Sequence, residues 1–164
     1  MPDRQRSGTS DAVMGKEDEK ESRVMGLGTP EYRIVILALP LFLVWEILQS
    51  LFYTDTFTAS WRQLFYNRIH CAIGDGMILL GAFWFAALFW GRTWIARKEI
   101  LPAVVFVAGA LTCTIVSEYR NVHVAQNWAY SQWMPTISGI GVIPVVQWMV
   151  IPSVIVHNLR RGSI

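Results

Sequence analysis

The sequence predicts an all-α membrane protein in which four transmembrane helices form a bundle. Of its 164 residues, 53% are hydrophobic and 16% are charged, whereas a typical soluble domain has about 45–50% and about 25%. Residues 1–33 hold thirteen of the twenty-six charged side chains, so the other 131 residues have too few to cover a soluble domain. Eight Trp, eight Phe and five Tyr also fit a chain that is partly surrounded by lipid. The composition argues against a soluble enzyme, a nucleic-acid-binding protein and a disulfide-stabilised secreted domain.

Four apolar runs follow a polar N-terminal segment. Residues 1–32 have mixed charge and no hydrophobic period, which predicts a disordered tail. The runs cover residues 34–53, 69–90, 100–117 and 137–156, and each can cross a hydrocarbon core of about 30 Å as a helix. In lipid the backbone must satisfy its own hydrogen bonds, so each run is predicted to be helical. The predicted organisation is a tail over 1–32, a bundle over 33–158 and a basic C-terminus over 159–164.

The distribution of Lys and Arg predicts the orientation of these helices. Eleven of these residues lie in the N-terminal tail, in the loop after the second run and at the C-terminus. The other three lie in the segments after the first and third runs, at Arg62, Arg68 and Arg120. Because cytoplasmic segments carry the excess of Lys and Arg, both termini are predicted to be cytoplasmic. Residues 54–68 and 118–136 then lie on the opposite side, which is called the outer side below.

This orientation brings polar residues from different runs to the outer half of the membrane. An ionisable residue within a membrane helix is costly and usually faces the bundle interior or a water-filled cavity. The candidate catalytic residues are Glu46, His70, Asp75 and Glu118. The candidate binding residues, placed beside them by helical spacing or in the 118–136 segment, are Gln49, Cys71, Asn121, Trp128 and Tyr130.

Helical spacing gives these residues expected partners. The amides of Gln49 and Asn121 can hold carboxylates in a chosen geometry, and close carboxylates can share a proton or a cation. Gly74 and Gly76 are expected to let another helix approach Asp75 closely. The alternative is that the acids are structural and only hydrogen-bond across helices. Nothing in the sequence specifies a cofactor, and a metal ion held by His70, Asp75 and Glu118 stays open.

Five groups of residues, read together, also suggest a family. They are Trp45, Glu46, Gln49, Tyr53 and Thr54; His70, Cys71, Gly74 and Asp75; Ser117, Glu118 and Asn121; Trp128, Tyr130, Ser131, Met134 and Pro135; and Gly141, Pro144, Gln147 and Trp148. Over residues 34–158 the chain resembles a family of small, uncharacterised four-helix integral membrane proteins of bacteria. The resemblance implies the bacterial inner membrane, so that the outer side is the periplasm, and it implies no activity.

Three classes of function remain open from the sequence. The first is an enzyme that performs acid/base or metal-assisted chemistry on a lipid-like or apolar substrate in a periplasm-facing pocket. The second is a non-catalytic binding or assembly subunit of a larger membrane complex. The third is a proton- or ion-coupled carrier, which four helices can form only as a homo-oligomer. The expected partners are membrane lipids and either further copies of the chain or a larger complex, and nucleic acid is not expected.

Overall fold

The computed structural model describes residues 28–161 and confirms the predicted fold class, since four long apolar helices form a bundle. Helix α1 covers Pro30–Leu48, and a 3-10 turn over Gln49–Phe52 continues it. A short helix α2 (Asp55–Thr58) precedes α3 (Trp61–Trp90). Helix α4 covers Ile100–Tyr119, with a π-helical turn over Arg120–Val124, and α5 covers Val142–Arg161. The predicted disordered tail covers residues 1–32, of which residues 1–27 lie outside the described residues. Residues 30–32 belong to α1, so the prediction of disorder is wrong for them.

The chain divides into one unit that ends at Arg33 and a second that begins at Ile34. In the described part of the first unit, residues 28–33, the backbone N–H of Arg33 donates to the carbonyl of Thr29 as α1 begins. The core and the candidate site described below belong to the second unit.

The predicted ends of the helices need correction. Helix α3 begins at Trp61, eight residues before the predicted start at residue 69. The side chain of Ser60 accepts a hydrogen bond from Gln63 N and so caps the first turn of the helix. Arg68, which was placed in an outer loop, therefore lies within α3. The bundle also extends beyond the predicted residues 33–158, since α1 begins at Pro30 and α5 ends at Arg161. Residues 159–161, predicted as part of a separate basic C-terminus, therefore belong to α5.

The fourth helix begins later than predicted because a short hairpin precedes it. Strand β1 (Thr136–Ile137) pairs antiparallel with β2 (Ile140–Gly141). The turn contains Ser138 at a φ of 52° and Gly139 at a φ of 81°, and no helix can pass through such a turn. Pro144 then stands in the first turn of α5, where its missing N–H costs no helical hydrogen bond, whereas Pro152 lies inside the helix.

The core of the second unit has an apolar zone and a polar zone. In the apolar zone Trp94, from the connection between α3 and α4, is fully buried and packs against the rings of Phe83 and Phe106. Phe42 of α1 contacts the ring of Trp148 of α5 at a centroid distance of 5.2 Å. The outer-side ends of the helices enclose the polar zone instead, which contains the candidate site.

Of the two glycines beside Asp75, Gly76 allows the predicted close approach of another helix and Gly74 does not. A Cβ at Gly76 would stand 3.3 Å from Leu39 Cδ2, so α1 approaches α3 closely at this point. A Cβ at Gly74 would meet no atom within 4 Å, so the expected close approach is wrong there. Gly74 borders an open cavity instead.

Candidate functional site

The polar zone surrounds a cavity of about 700 Å³ between α1, α3, α4 and α5. Its walls include eight of the nine residues that the sequence singled out: Glu46, Gln49, His70, Cys71, Asp75, Glu118, Asn121 and Trp128. The ninth, Tyr130, reaches the site through a hydrogen bond to Glu118. Three carboxylates from three helices therefore meet at one cavity, which is the arrangement expected from the topology.

Glu46 is buried on α1, and helical spacing provides its partner. Gln49, one turn later, donates from Nε2 to Glu46 Oε1 at 2.5 Å. Trp45 Nε1 in turn donates to Gln49 Oε1 at 3.1 Å, which fixes the orientation of the amide. The expectation that Gln49 can hold a carboxylate is therefore met.

Arg68 is the main residue of the site that the sequence analysis missed. It is 7% exposed, and its NH2 group forms an ion pair of 2.5 Å with Asp55 Oδ1. Its NH1 group lies 3.7 Å from Glu46 Oε2, and the guanidinium lies over the ring of Tyr53 at 5.4 Å from the centroid. The Nε atom is buried and has no hydrogen-bond partner among the described residues. The available signal was Ser60, an N-cap residue type that directly precedes residues 61–68.

Asp75 and Gln147 join α3 to α5 across the cavity. Gln147 Nε2 donates to Asp75 Oδ2 at 2.8 Å, and Gln147 is 2% exposed. No described residue hydrogen-bonds the other carboxylate oxygen, Oδ1. Gln147 lies in the fourth apolar run, but its position opposite Asp75 depends on how α5 is rotated.

Glu118 of α4 accepts hydrogen bonds from two tyrosines. Tyr53 OH lies 3.4 Å from Oε1, and Tyr130 OH lies 2.5 Å from Oε2. Tyr130 OH also accepts from Gly141 N at 2.9 Å, so the hydroxyl is held on both sides. Burial, followed by the negative charge of Glu118, raises the pKa of Tyr53 well above its ordinary range. Burial and the hydrogen bond to Glu118 raise the pKa of Tyr130 in the same way.

The segment after α4 is attached to the end of α1 and covers the site. Tyr53 and Tyr130 form a backbone bridge, and Thr54 N donates to the carbonyl of Ala129 at 3.0 Å. Ser131 hydrogen-bonds the carbonyls of both Leu51 and Phe52. The indole of Trp128 approaches Glu118, although its buried Nε1 makes no well-aligned hydrogen bond to a described residue. Trp128 borders the cavity, whereas Tyr130 reaches it through its hydrogen bond to Glu118.

Thr114 presents a buried polar atom with no partner. The side chain is 6% exposed, borders the cavity, and lies one turn before Glu118 on α4. Its Oγ1 makes no hydrogen bond to any described residue. A buried hydroxyl of this kind costs free energy unless water or a ligand satisfies it.

Three predicted residues hold less central positions. His70 is exposed, borders the cavity and stacks on Tyr66 at a centroid distance of 6.0 Å. Cys71 borders the cavity as a free thiol. Asn121 donates to the carbonyl and hydroxyl of Ser117 and accepts from Asn127, so the expectation that it holds a carboxylate is wrong.

Carboxyl groups outnumber basic groups in the cavity wall. Among the residues that the structure describes, the carboxyl groups of Glu46, Asp55, Asp75 and Glu118 border the cavity, together with the guanidinium of Arg68. Within residues 28–161 no three His, Cys, Asp or Glu side chains are grouped tightly enough to hold a metal ion. The metal site of His70, Asp75 and Glu118 is therefore not formed, and the wall suits a cationic or proton-donating group.

Comparisons of the chain with protein-family models, with curated proteins and with solved structures give no match.

Proposed function

We propose that this chain is a multi-pass protein of the bacterial inner membrane whose periplasm-facing cavity binds a lipid-like or apolar molecule and exchanges protons with it. The observation that carries the proposal is the convergence of carboxylates from α1, α3 and α4 on one cavity. A volume of about 700 Å³ lies in the range of small-molecule sites, about 300–1,000 Å³. The distribution of Lys and Arg supports the orientation with both termini in the cytoplasm.

The carboxylates differ in how many of their oxygens remain available. Tyrosine hydroxyls engage both oxygens of Glu118, which makes this residue a fixed hydrogen-bond acceptor. Asp75 keeps Oδ1 available, and Glu46 keeps Oε2 at 3.7 Å from Arg68. A proton-transfer group must come within hydrogen-bond reach of the bound molecule. Asp75 and Glu46 are therefore assigned as the acid/base pair and Glu118 as an anchor.

A cavity-filling variant tests whether the cavity binds a molecule. Gly74→Leu adds a side chain at the cavity wall, where nothing lies within 4 Å of the new Cβ. Gly81→Leu is the matched control, since it is on the same helix, equally free of contacts, and outside the cavity wall. Organic extracts of the two purified full-length variants are compared by mass spectrometry with extracts of the unaltered protein. A molecule that is lost from Gly74→Leu and kept by Gly81→Leu supports the cavity, and identical extracts contradict it.

A second experiment separates chemistry from binding. Lipid extracts are compared between cells that lack the protein and cells that produce the unaltered chain, Asp75→Asn or Glu46→Gln. Each near-isosteric change should cost at most about 1–2 kcal/mol of folding free energy and leave the protein at normal abundance. We expect both variants to accumulate the same substrate as cells without the protein. If cells with and without the protein give the same lipid extract, the acid/base assignment is contradicted. The alternative function, a non-catalytic binding subunit, then remains.

A further inference from the structure

A second hollow lies between α1 and α3, beside the polar cavity. It measures about 210 Å³, and its walls include Leu43 and Ile47 of α1 and Leu64 and Phe65 of α3. Ile47 and Phe65 are each 58% exposed, so the hollow opens on the outside of the bundle. All four side chains belong to segments long and apolar enough to cross a membrane. In a membrane this apolar groove faces the acyl chains of lipids.

Arg68 borders both the apolar groove and the polar cavity. Two of its nitrogens face the carboxylates of Glu46 and Asp55, while its buried Nε has no partner among the described residues. A guanidinium nitrogen in this state is a donor for an oxyanion. Beyond Arg68, the cavity wall holds the excess of carboxylates, the ring of Tyr53 and the unpartnered hydroxyl of Thr114.

The groove, Arg68 and the cavity follow one another in the order of the parts of a phospholipid. We propose that the cavity binds the headgroup of a membrane phospholipid that carries a phosphate and an ammonium group. An acyl chain lies in the groove, the phosphate meets Arg68, and the ammonium enters among Glu46, Asp75 and Glu118, where aromatic faces also favour a cation. The inference rests on the proposed function and names the class of molecule that the cavity takes.

Other ligands match only part of this order. A phospholipid with a glycerol headgroup places its phosphate at Arg68 but offers no positive charge to the carboxylates. A soluble amine satisfies the carboxylates but does not use the groove. The groove is open on the outside of the bundle, so the acyl chain of a lipid can lie in it while the chain stays in the hydrocarbon region of the membrane.

The test measures binding of three probes to the full-length protein in a neutral detergent by native mass spectrometry. The probes are lysophosphatidylethanolamine, lysophosphatidylglycerol with the same acyl chain, and phosphoethanolamine without a chain. We expect the ethanolamine lysolipid to bind about tenfold or more tightly than each of the other two probes, since each of these lacks one of the three proposed contacts. Equal affinity for the two lysolipids would overturn the proposal.

Two variants assign the contacts. Leu64→Trp narrows the groove. We expect it to weaken the binding of the ethanolamine lysolipid about tenfold and to leave the binding of phosphoethanolamine unchanged. Its matched control, Leu88→Trp, stands on the same helix at a position 77% exposed and should change neither. Arg68→Lys keeps the positive charge but removes the Nε donor, so it should weaken the binding of both lysolipids, each of which carries a phosphate. If Leu64→Trp binds the lysolipid as tightly as the unaltered protein, the acyl chain does not lie in the groove. If Arg68→Lys binds both lysolipids as tightly as the unaltered protein, the phosphate does not contact Arg68.

The outcomes separate this inference from the proposed function. If both lysolipids bind equally and Gly74→Leu abolishes the binding of both, the cavity is a ligand site but the headgroup assignment is wrong. If neither lysolipid binds while Gly74→Leu still loses a co-purifying molecule, the proposed function stands and the phospholipid is excluded. If Gly74→Leu and Gly81→Leu also retain the same molecules, both proposals fail.

Discussion

The hydroxyl groups at this cavity differ in whether they have a hydrogen-bond partner among the described residues. Thr114 has a buried hydroxyl without a described partner, whereas the hydroxyls of Tyr53 and Tyr130 are both bonded to Glu118. Removal of the first should affect ligand binding, and removal of the others should affect folding. The next two predictions use this difference.

Thr114→Val replaces the unpartnered hydroxyl with a methyl group of similar size. Because no described hydrogen bond is lost, the free energy of unfolding without ligand should stay constant or rise by up to about 1 kcal/mol. Binding of the ethanolamine lysolipid should weaken, since the ligand loses a hydroxyl partner. Denaturant unfolding in detergent and native mass spectrometry measure the two effects. A destabilised variant with intact binding would show that Thr114 has a structural partner instead.

The tyrosines give a pH dependence whose sign can be worked out. The pKa of Tyr53 and of Tyr130 lies above the ordinary value of 10.0 in the folded protein, because burial and Glu118 disfavour the phenolate. In the unfolded chain both ionise near that value, so the folded state holds more protons above it. The stabilising contribution is therefore complete below about pH 10 and decreases as the pH rises further.

The measurement is the thermal unfolding midpoint as a function of alkaline pH. The unaltered protein should lose stability more steeply above about pH 10 than a Tyr53→Phe/Tyr130→Phe double variant, which has no hydroxyl to ionise at these positions. Tyr66→Phe is the control, because Tyr66 is 67% exposed. Parallel curves for all three proteins would contradict the assignment.

At the scale of elements, the early start of α3 brings Arg68 into the site. The first turns of this helix depend on Ser60, whose side chain accepts from Gln63 N at 3.4 Å. A loop over residues 61–68, as the apolar pattern alone predicts, would leave the guanidinium in solvent. The cap is therefore coupled to the geometry of the cavity.

Ser60→Ala removes this cap and should lower the free energy of unfolding by about 0.5–1 kcal/mol, at the low end for caps because the hydrogen bond is long. Ser153→Ala is the control, since the hydroxyl of this exposed serine donates to the carbonyl of Met149 within its own helix and alanine is a better helix former. Chemical unfolding in detergent measures both. An equal change in the two variants would show that Ser60 does not act as a cap.

At the scale of the whole molecule, the orientation decides which side of the membrane the cavity serves. A reporter that is active only in the periplasm should stay silent when fused after Ile164. In a background that carries Cys71→Ala and Cys113→Ala, the exposed position 136 is changed by Thr136→Cys, and an impermeant thiol reagent should label it in intact cells once the outer membrane is permeabilised. Both follow from the eleven-to-three distribution of Lys and Arg. An active reporter together with an unlabelled Cys at position 136 would show that the orientation is the opposite of the one predicted.

Particular residues show how far the sequence predicts the site. The depth of Glu46, Asp75 and Glu118 follows from counting residues along helices of known direction, and Gln49 follows from the helical period. Arg68 was counted only as an outer charge because its position depends on a cap at Ser60. The pairing of Asp75 with Gln147 and the two tyrosines on Glu118 were also not predicted. These contacts join residues far apart in the chain, and no local pattern specifies them.

The sequence by itself determined the four spans, the all-α class and the gathering of acids in one half of the bundle. These properties follow from transfer of each side chain between water and lipid and from hydrogen bonding within each helix, both of which are nearly independent of the other helices. Only the tertiary structure decided the cavity, its neighbouring groove, the place of Arg68 between them and the attachment of residues 129–131 to the end of α1. These features depend on the rotation of each helix and on contacts between distant segments, because the free energy of a buried polar group is set by the partner that packing brings to it.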